Sequence, residues 1–150
     1  MKASTPSPLQ LKEHKIARIN LDTRDVTGDN SELHFSHAIS SEQNRDTREL
    51  WLVRVDVQIK PAPEAGAAPY LGEVVMVGIF HLDPAFPEEK AEKMVCFNGG
   101  SILYGAIREL ICSITSRGIH GPILLPTINA NTFVPESQES PSEPKSVASD

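Results

Sequence analysis

Two cysteines, Cys96 and Cys112, are all that the 150 residues carry, and neither sits in a CxxC pair or a zinc-type ligand pattern. That sets aside a disulfide framework and a structural zinc site, and leaves reduced thiols in a cytoplasmic setting as the expectation. Basic charge is also short, with 14 Lys and Arg against 20 Asp and Glu and a formal net charge of −6. A nucleic-acid surface needs clustered cations, so that class is excluded and basic or unfolded partners are favoured. No segment approaches the ~20 apolar residues of a membrane-spanning helix. The opening MKASTPSPLQ also lacks the apolar stretch of a signal peptide, so neither secretion nor membrane insertion is expected.

Residue types that carry chemistry are equally sparse. Gly99-Gly100 has neither the spacing of a GxGxxG fingerprint nor the Lys of a P-loop, and no carboxylate pair falls in an apolar setting. His34 and His37, three apart on a predicted strand, point to opposite faces and cannot share a metal. Cys112, beside the apolar stripe of a predicted helix, reads as a small buried hydrophobe, and Arg108-Glu109 as a solvated face or an ion pair. No enzyme, cofactor or metal site is expected.

What is present is pattern. Hydrophobic residues make up 39% of the chain, and both ends are polar, so the apolar content concentrates in one domain over residues 9–134. Residues 1–8 and 135–150 read as a disordered lead and a disordered polar tail, with too little apolar surface to offset ordering entropy. HKIARINL allows a strand with Ala17, Ile19 and Leu21 on one face and Ile16 on the other. ELHFSHAI alternates cleanly, placing Leu33, Phe35, His37 and Ile39 together. LWLVRVDVQIK is the clearest strand, with Trp51, Val53, Val55, Val57 and Ile59 against Arg54, Asp56, Gln58 and Lys60.

The short connection at 61–69 demands that YLGEVVMVGIFHL run antiparallel to the preceding strand, since a parallel crossover needs a dozen or more residues. That fourth strand is apolar on both faces, and Glu73 within it must reach an edge, a partner or water. PEEKAEKMVCF predicts a short helix, with Pro87 in its first turn, broken by Gly99-Gly100. SILYGAIRELICSITSRG predicts a long amphipathic helix with Leu103, Ile107, Leu110 and Ile114 on one stripe, ended by Gly118 with Arg117 in the last turn. An apolar extended segment stiffened by Pro122 and Pro126 follows. Four strands ahead of one main helix indicate an α+β fold with an antiparallel sheet. Two apolar strand faces and a wide helix stripe leave more apolar surface than one chain covers, which points to self-association.

RELICSITSRG followed by GPILLPTIN, together with SILYGAIRE, YLGEVVMVGIF and VRVDVQI, resembles the SecB protein-export chaperones. The resemblance implies a four-stranded antiparallel sheet per protomer and a homotetramer built as a dimer of dimers, with Leu103, Ile107, Leu110 and Ile114 between sheets. It implies an ATP-independent holdase that binds unfolded preproteins in apolar surface grooves and delivers them to the SecA motor. Leu71 and Glu73 match the family's SecA-docking residues, with Asp25 and Asp29 as acidic companions. Phe35, Trp51, Tyr70, Phe80 and Tyr104 are the aromatic candidates for a client groove. The departure is ANTFVPESQESPSEPK, whose prolines rule out the second helix of that family. Some SecB-like proteins instead protect an antitoxin of a toxin–antitoxin pair. Export, antitoxin protection and a scaffold subunit without client binding all stay open.

Overall fold

A computed structural model describes residues 1–25, 32–63 and 67–133. Four strands, β1 (Leu9–Thr23), β2 (Leu33–Gln43), β3 (Leu50–Pro61) and β4 (Tyr70–Leu82), form one antiparallel sheet in the order β1-β4-β3-β2. Helix α1 (Glu88–Met94) runs through a π-helical turn (Val95–Gly99) into α2 (Gly100–Thr115), and a 3₁₀ turn (Ala130–Thr132) closes the described chain. The α+β reading of the sequence is the observed architecture.

Alternation drives the sheet. Every odd residue of β3 from Trp51 to Ile59 is buried beneath the helices. Their β4 partners on the same face include Val74, Met76 and Phe80. Leu103, Ile107 and Ile111 of α2 and Leu125 of the following segment complete this core, all at 0% exposure. Burying each such side chain contributes ~1.5–3 kcal/mol before entropy is counted.

Four local expectations are corrected. In β1, register shifts against β4 make Lys12 and Ala17 extra, unpaired residues. A bulge re-phases the alternation, so Ile16, opposite Met76, and Ile19, opposite Val74, share the helix-side face instead of facing apart. At Gly99-Gly100 the helix does not break. Both residues are right-handed helical, and the glycines serve approach: a Cβ on Gly100 would lie 2.4 Å from Ile39 Cδ1. Finally, α2 stops at Thr115, before Arg117 and Gly118, and its buried stripe is Leu103, Ile107, Ile111 and Thr115. Thr115 is satisfied there, its hydroxyl donating to Ile111 O and accepting from Ile123 N. Pro87 caps α1 from just outside instead of entering its first turn.

The π turn has a geometrical use. From Ala91 through Val95, Gly99, Leu103 and Ile107 to Ile111, buried residues recur every fourth position. A 3.6-residue helix would rotate that row away from the sheet, and one wider turn takes up part of the drift.

Candidate functional site

The segment after α2 is held as a cover. Tyr70 Oη donates to Gly121 O at 2.7 Å, Tyr104 Oη to Pro126 O at 2.7 Å, and Arg108 Nε to Leu125 O at 2.7 Å. Ile123, Leu125 and Phe133 are buried under it, whereas Ile119 and Leu124 remain 77% and 64% exposed. Arg108 is thus neither a free surface cation nor half of an ion pair with Glu109. Its side chain pins the cover, and its charge partly opposes the burial that raises the Tyr104 phenol above its ordinary range.

This placement sorts the aromatic candidates. Tyr70 and Phe80 are enclosed within the protomer and offer no surface to a client, a correction whose cause is the close seat of α2 and the cover. Trp51 and Tyr104 are nearly enclosed, at 7% each, and Trp51 Nε1 has no hydrogen-bond partner. Phe35 alone of the five is only partly buried. It sits on β2 two residues from His37, which contacts Thr132 Oγ1 at 3.3 Å and packs edge-on to Phe133.

The helix candidates divide in the same way. Leu103 and Ile107 are wholly buried against the sheet and cannot meet a second subunit; Leu110 is half-buried and Ile114 40% exposed. Ile102 and Ile114 of α2 are both exposed, and Gly105, Glu109, Cys112 and Ser116 line a shallow groove with Leu124 of the cover. Cys112 is half-buried, not a core residue. Cys96 is the buried thiol, its Sγ donating to Ser41 Oγ at 3.2 Å, and burial pushes it upward.

Leu71 and Glu73 lie together on the opposite, outer face of the sheet, both half-buried. Glu73 accepts from Arg18 Nη1 at 3.3 Å and lies near Asp56, whose carboxyl is raised first by burial and then by the Glu73 charge. The strand partner of Leu71 on β1 is Asp22. Asp25 falls beyond the end of β1, on exposed chain, and Asp29 lies outside the described residues. Asp22 and Asp56 were missed by sequence reasoning. Asp56 had a signal, being the one acid among the outward positions of β3. Asp22 had none, since its pairing depends on two bulges. Around the charges, Leu52 is 42% exposed, and Val77 and Ile79 are half-buried.

Among the described residues no group of three or more His, Cys, Asp or Glu is placed to hold a metal, and no helix is long and apolar enough to cross a membrane. The candidate surface has two parts: a helix-side region bounded by the cover and β2, and an outer face mixing apolar strand residues with an acidic pair.

No curated protein matches the chain by sequence. Among solved structures, a SecB-like chaperone of Mycobacterium tuberculosis, determined in complex with a peptide from an antitoxin, superposes with a TM-score of 0.65 at 15% identity, covering 81% of this chain and 90% of that one. A protein of unknown function from Streptococcus agalactiae gives a TM-score of 0.46 at 11% identity, over 79% of this chain and 97% of its own. The first likeness establishes the shared fold. The family described as preprotein translocase subunit SecB matches residues 20–140, most of the chain, and the protein belongs to the SecB family.

Proposed function

We propose that the chain is an ATP-independent holdase that keeps client polypeptides unfolded by binding them along its apolar surface, in the service of Sec-dependent export. Membership in the SecB family carries the reading. The surface supports it: Ile16 and Ile19 on β1, Ile102 and Ile114 on α2, and Leu124 on the cover are all more than a third exposed. Contacts of that kind are non-directional and place little demand on client sequence. The net charge of −6 favours encounter with basic unfolded chains. Homotetramer assembly belongs to the same proposal, with Leu110 and Ile114 in the helix interface in place of the buried Leu103 and Ile107. The free thiols fit a cytoplasmic setting. Holding requires no catalytic step.

In this reading Leu71 and Glu73, with Asp22 opposite, form the face that docks SecA. Reversing charge at Glu73 should weaken SecA binding, and unchanged affinity would remove the assignment. A second reading, protection of a dedicated antitoxin, is prompted by the antitoxin peptide in the mycobacterial complex. A toxin–antitoxin pair beside the gene would favour it. The holdase reading is tested by aggregation of an unfolded protein without nucleotide. Suppression near stoichiometric ratio is expected, and no suppression at any ratio would refute it in favour of a scaffold role.

A further inference from the structure

Val75 differs from its neighbours along the strand. On the outer face of β4, Leu71, Glu73, Val77 and Ile79 are all half-buried, yet Val75 in their midst is fully enclosed, at 0% exposure. The helices pack on the opposite face, so the enclosure comes from side chains of the sheet itself. The residues directly beside Val75 are Arg18 on β1 and Asp56 on β3. Both are polar. Of the two, Arg18 is long enough to lay an apolar stem across the valine while its guanidinium stays in water.

The Arg18 side chain ends on Glu73. Register places Asn20 opposite Glu73 and Arg18 opposite Val75, so the arginine reaches its acid along a diagonal of the sheet. A single nitrogen, Nη1, makes both contacts, at 3.3 Å to Oε1 and 3.4 Å to Oε2. A forked arginine–carboxylate pair uses separate nitrogens at about 2.7–2.9 Å, so this contact is loose. It is also wet, with the Arg18 side chain 63% exposed and that of Glu73 26%. An exposed pair of this kind biases a competing equilibrium by roughly fivefold at most, and a second cation can replace it. On the other side of Val75, Arg54 stands 3.9 Å from Asp56, and the Arg54 and Arg18 charges both oppose the rise of the Asp56 carboxyl. The outer face thus holds Glu73 and Asp56 already engaged by its own cations.

We propose that Arg18 is an intramolecular latch on the outer face, holding the place before Glu73 that a docking partner's cation takes and closing Val75 until that cation displaces it; the inference rests on the reading of this face as the SecA-docking surface. Displacement has two effects. It hands Glu73 to a Lys or Arg of the partner, and it lifts the arginine stem from Val75. The valine then joins Leu71 on one side and Val77 and Ile79 on the other in one apolar strip along β4. The segment this fits carries a basic residue flanked by apolar ones. A site whose open arrangement is only partly populated binds more weakly in proportion, so Arg18 lowers the affinity of any partner that uses Glu73. While the face is empty, the same side chain keeps an apolar residue out of water.

Affinity of the full chain for purified SecA tests this, measured at low salt, where surface charges are least screened. Arg18→Gln should bind roughly two- to fivefold more tightly than the parent, and Arg18→Lys, which keeps the cation, should stay within about twofold of it. Lys15→Gln is the charge control. Lys15 lies on the same face, opposite Val77, but pairs with Glu13 at 3.3 Å, so its loss changes net charge equally and should leave affinity nearly unchanged. In a Glu73→Gln background, Arg18→Gln should give no further tightening. Urea midpoints check that each variant folds, and Arg18→Met, which keeps the stem and loses the charge, should tighten binding in the same direction if the glutamine variant is destabilised. Equal tightening by Lys15→Gln means long-range charge alone and overturns the latch. Folded Arg18 variants that bind no better than the parent overturn it too, and leave the docking reading standing. A parent chain that does not bind SecA, or whose binding ignores Glu73→Gln, removes the docking reading itself and the latch with it.

Discussion

Replacing Gly72 by alanine sets two effects of opposite sign against each other. Glycine inside a strand costs roughly 0.5–1 kcal/mol relative to alanine through backbone entropy, so propensity alone makes the variant more stable. Gly72 of β4 pairs with Leu21 of β1, however, and β1 passes close: an ideal Cβ on Gly72 would lie 2.0 Å from Asn20 O and 2.9 Å from Leu21 Cα. Both obstacles are backbone, so no rotamer change relieves them. Restoring ordinary contact moves β1 by more than an ångström, enough to break the bonds around that pair. Losing about two of them at ~1 kcal/mol each, or absorbing 1–3 kcal/mol of overpacking strain, outweighs the entropic gain. The expected net loss is about 1–2 kcal/mol. Equilibrium urea unfolding at fixed protein concentration reads it as a lower midpoint with unchanged slope. A midpoint equal to or above the parent's would refute the close-approach argument.

The remaining predictions concern the cover and the outer face. Leu125→Ala should cost ~2–5 kcal/mol and speed amide exchange over residues 119–133, whereas Leu124→Ala, at an exposed neighbour, should change stability by less than about 0.5 kcal/mol. Tyr104→Phe removes the donor to Pro126 O and should cost about 1 kcal/mol by thermal unfolding. The raised Asp56 carboxyl means the folded chain binds its proton more tightly than the unfolded one. The stability it contributes is complete below the ordinary carboxylate range and is lost as pH rises through the raised value. Asp56→Asn should therefore be more stable than the parent at neutral pH, by a few tenths of a kcal/mol after solvent screening, with the difference fading on acidification. An advantage that grows on acidification would contradict this.

Strands β2, β3 and β4 were legible because each buries one face at period two, and the Trp51 to Ile59 row leaves no competing reading. The bulges in β1 were not, because an extra residue is marked by nothing in HKIARINL and appears only in its pairing with β4. The stripe on α2 was misjudged by about one position. Leu110 and Ile114 are more apolar than Thr115, but the buried row follows a four-residue spacing set by the π turn, and Thr115 is admitted by its hydrogen bonds. Gly99-Gly100 looked like a breaker on propensity, whereas the sheet's closeness to the helix required them. For the site, Leu71 and Glu73 were placed together by strand alternation. The aromatic list failed at Tyr70 and Phe80 for the opposite reason: side-chain type cannot tell a groove wall from a core when the cover that encloses it is far along the chain.

The strand order has a kinetic consequence. β2 with β3, and β3 with β4, are neighbours along the chain and can form as successive hairpins, but β1 must find β4 across the whole of that unit, with Leu9 meeting Leu82. Contacts of long sequence separation form late, after loop-closure entropy has been overcome. Newly made chains should therefore pass through a stage in which three strands are paired and one edge of β4 waits for a partner. During that interval the protein is itself an unfinished chain with an open edge, and its own first segment competes with any other extended polypeptide for the place.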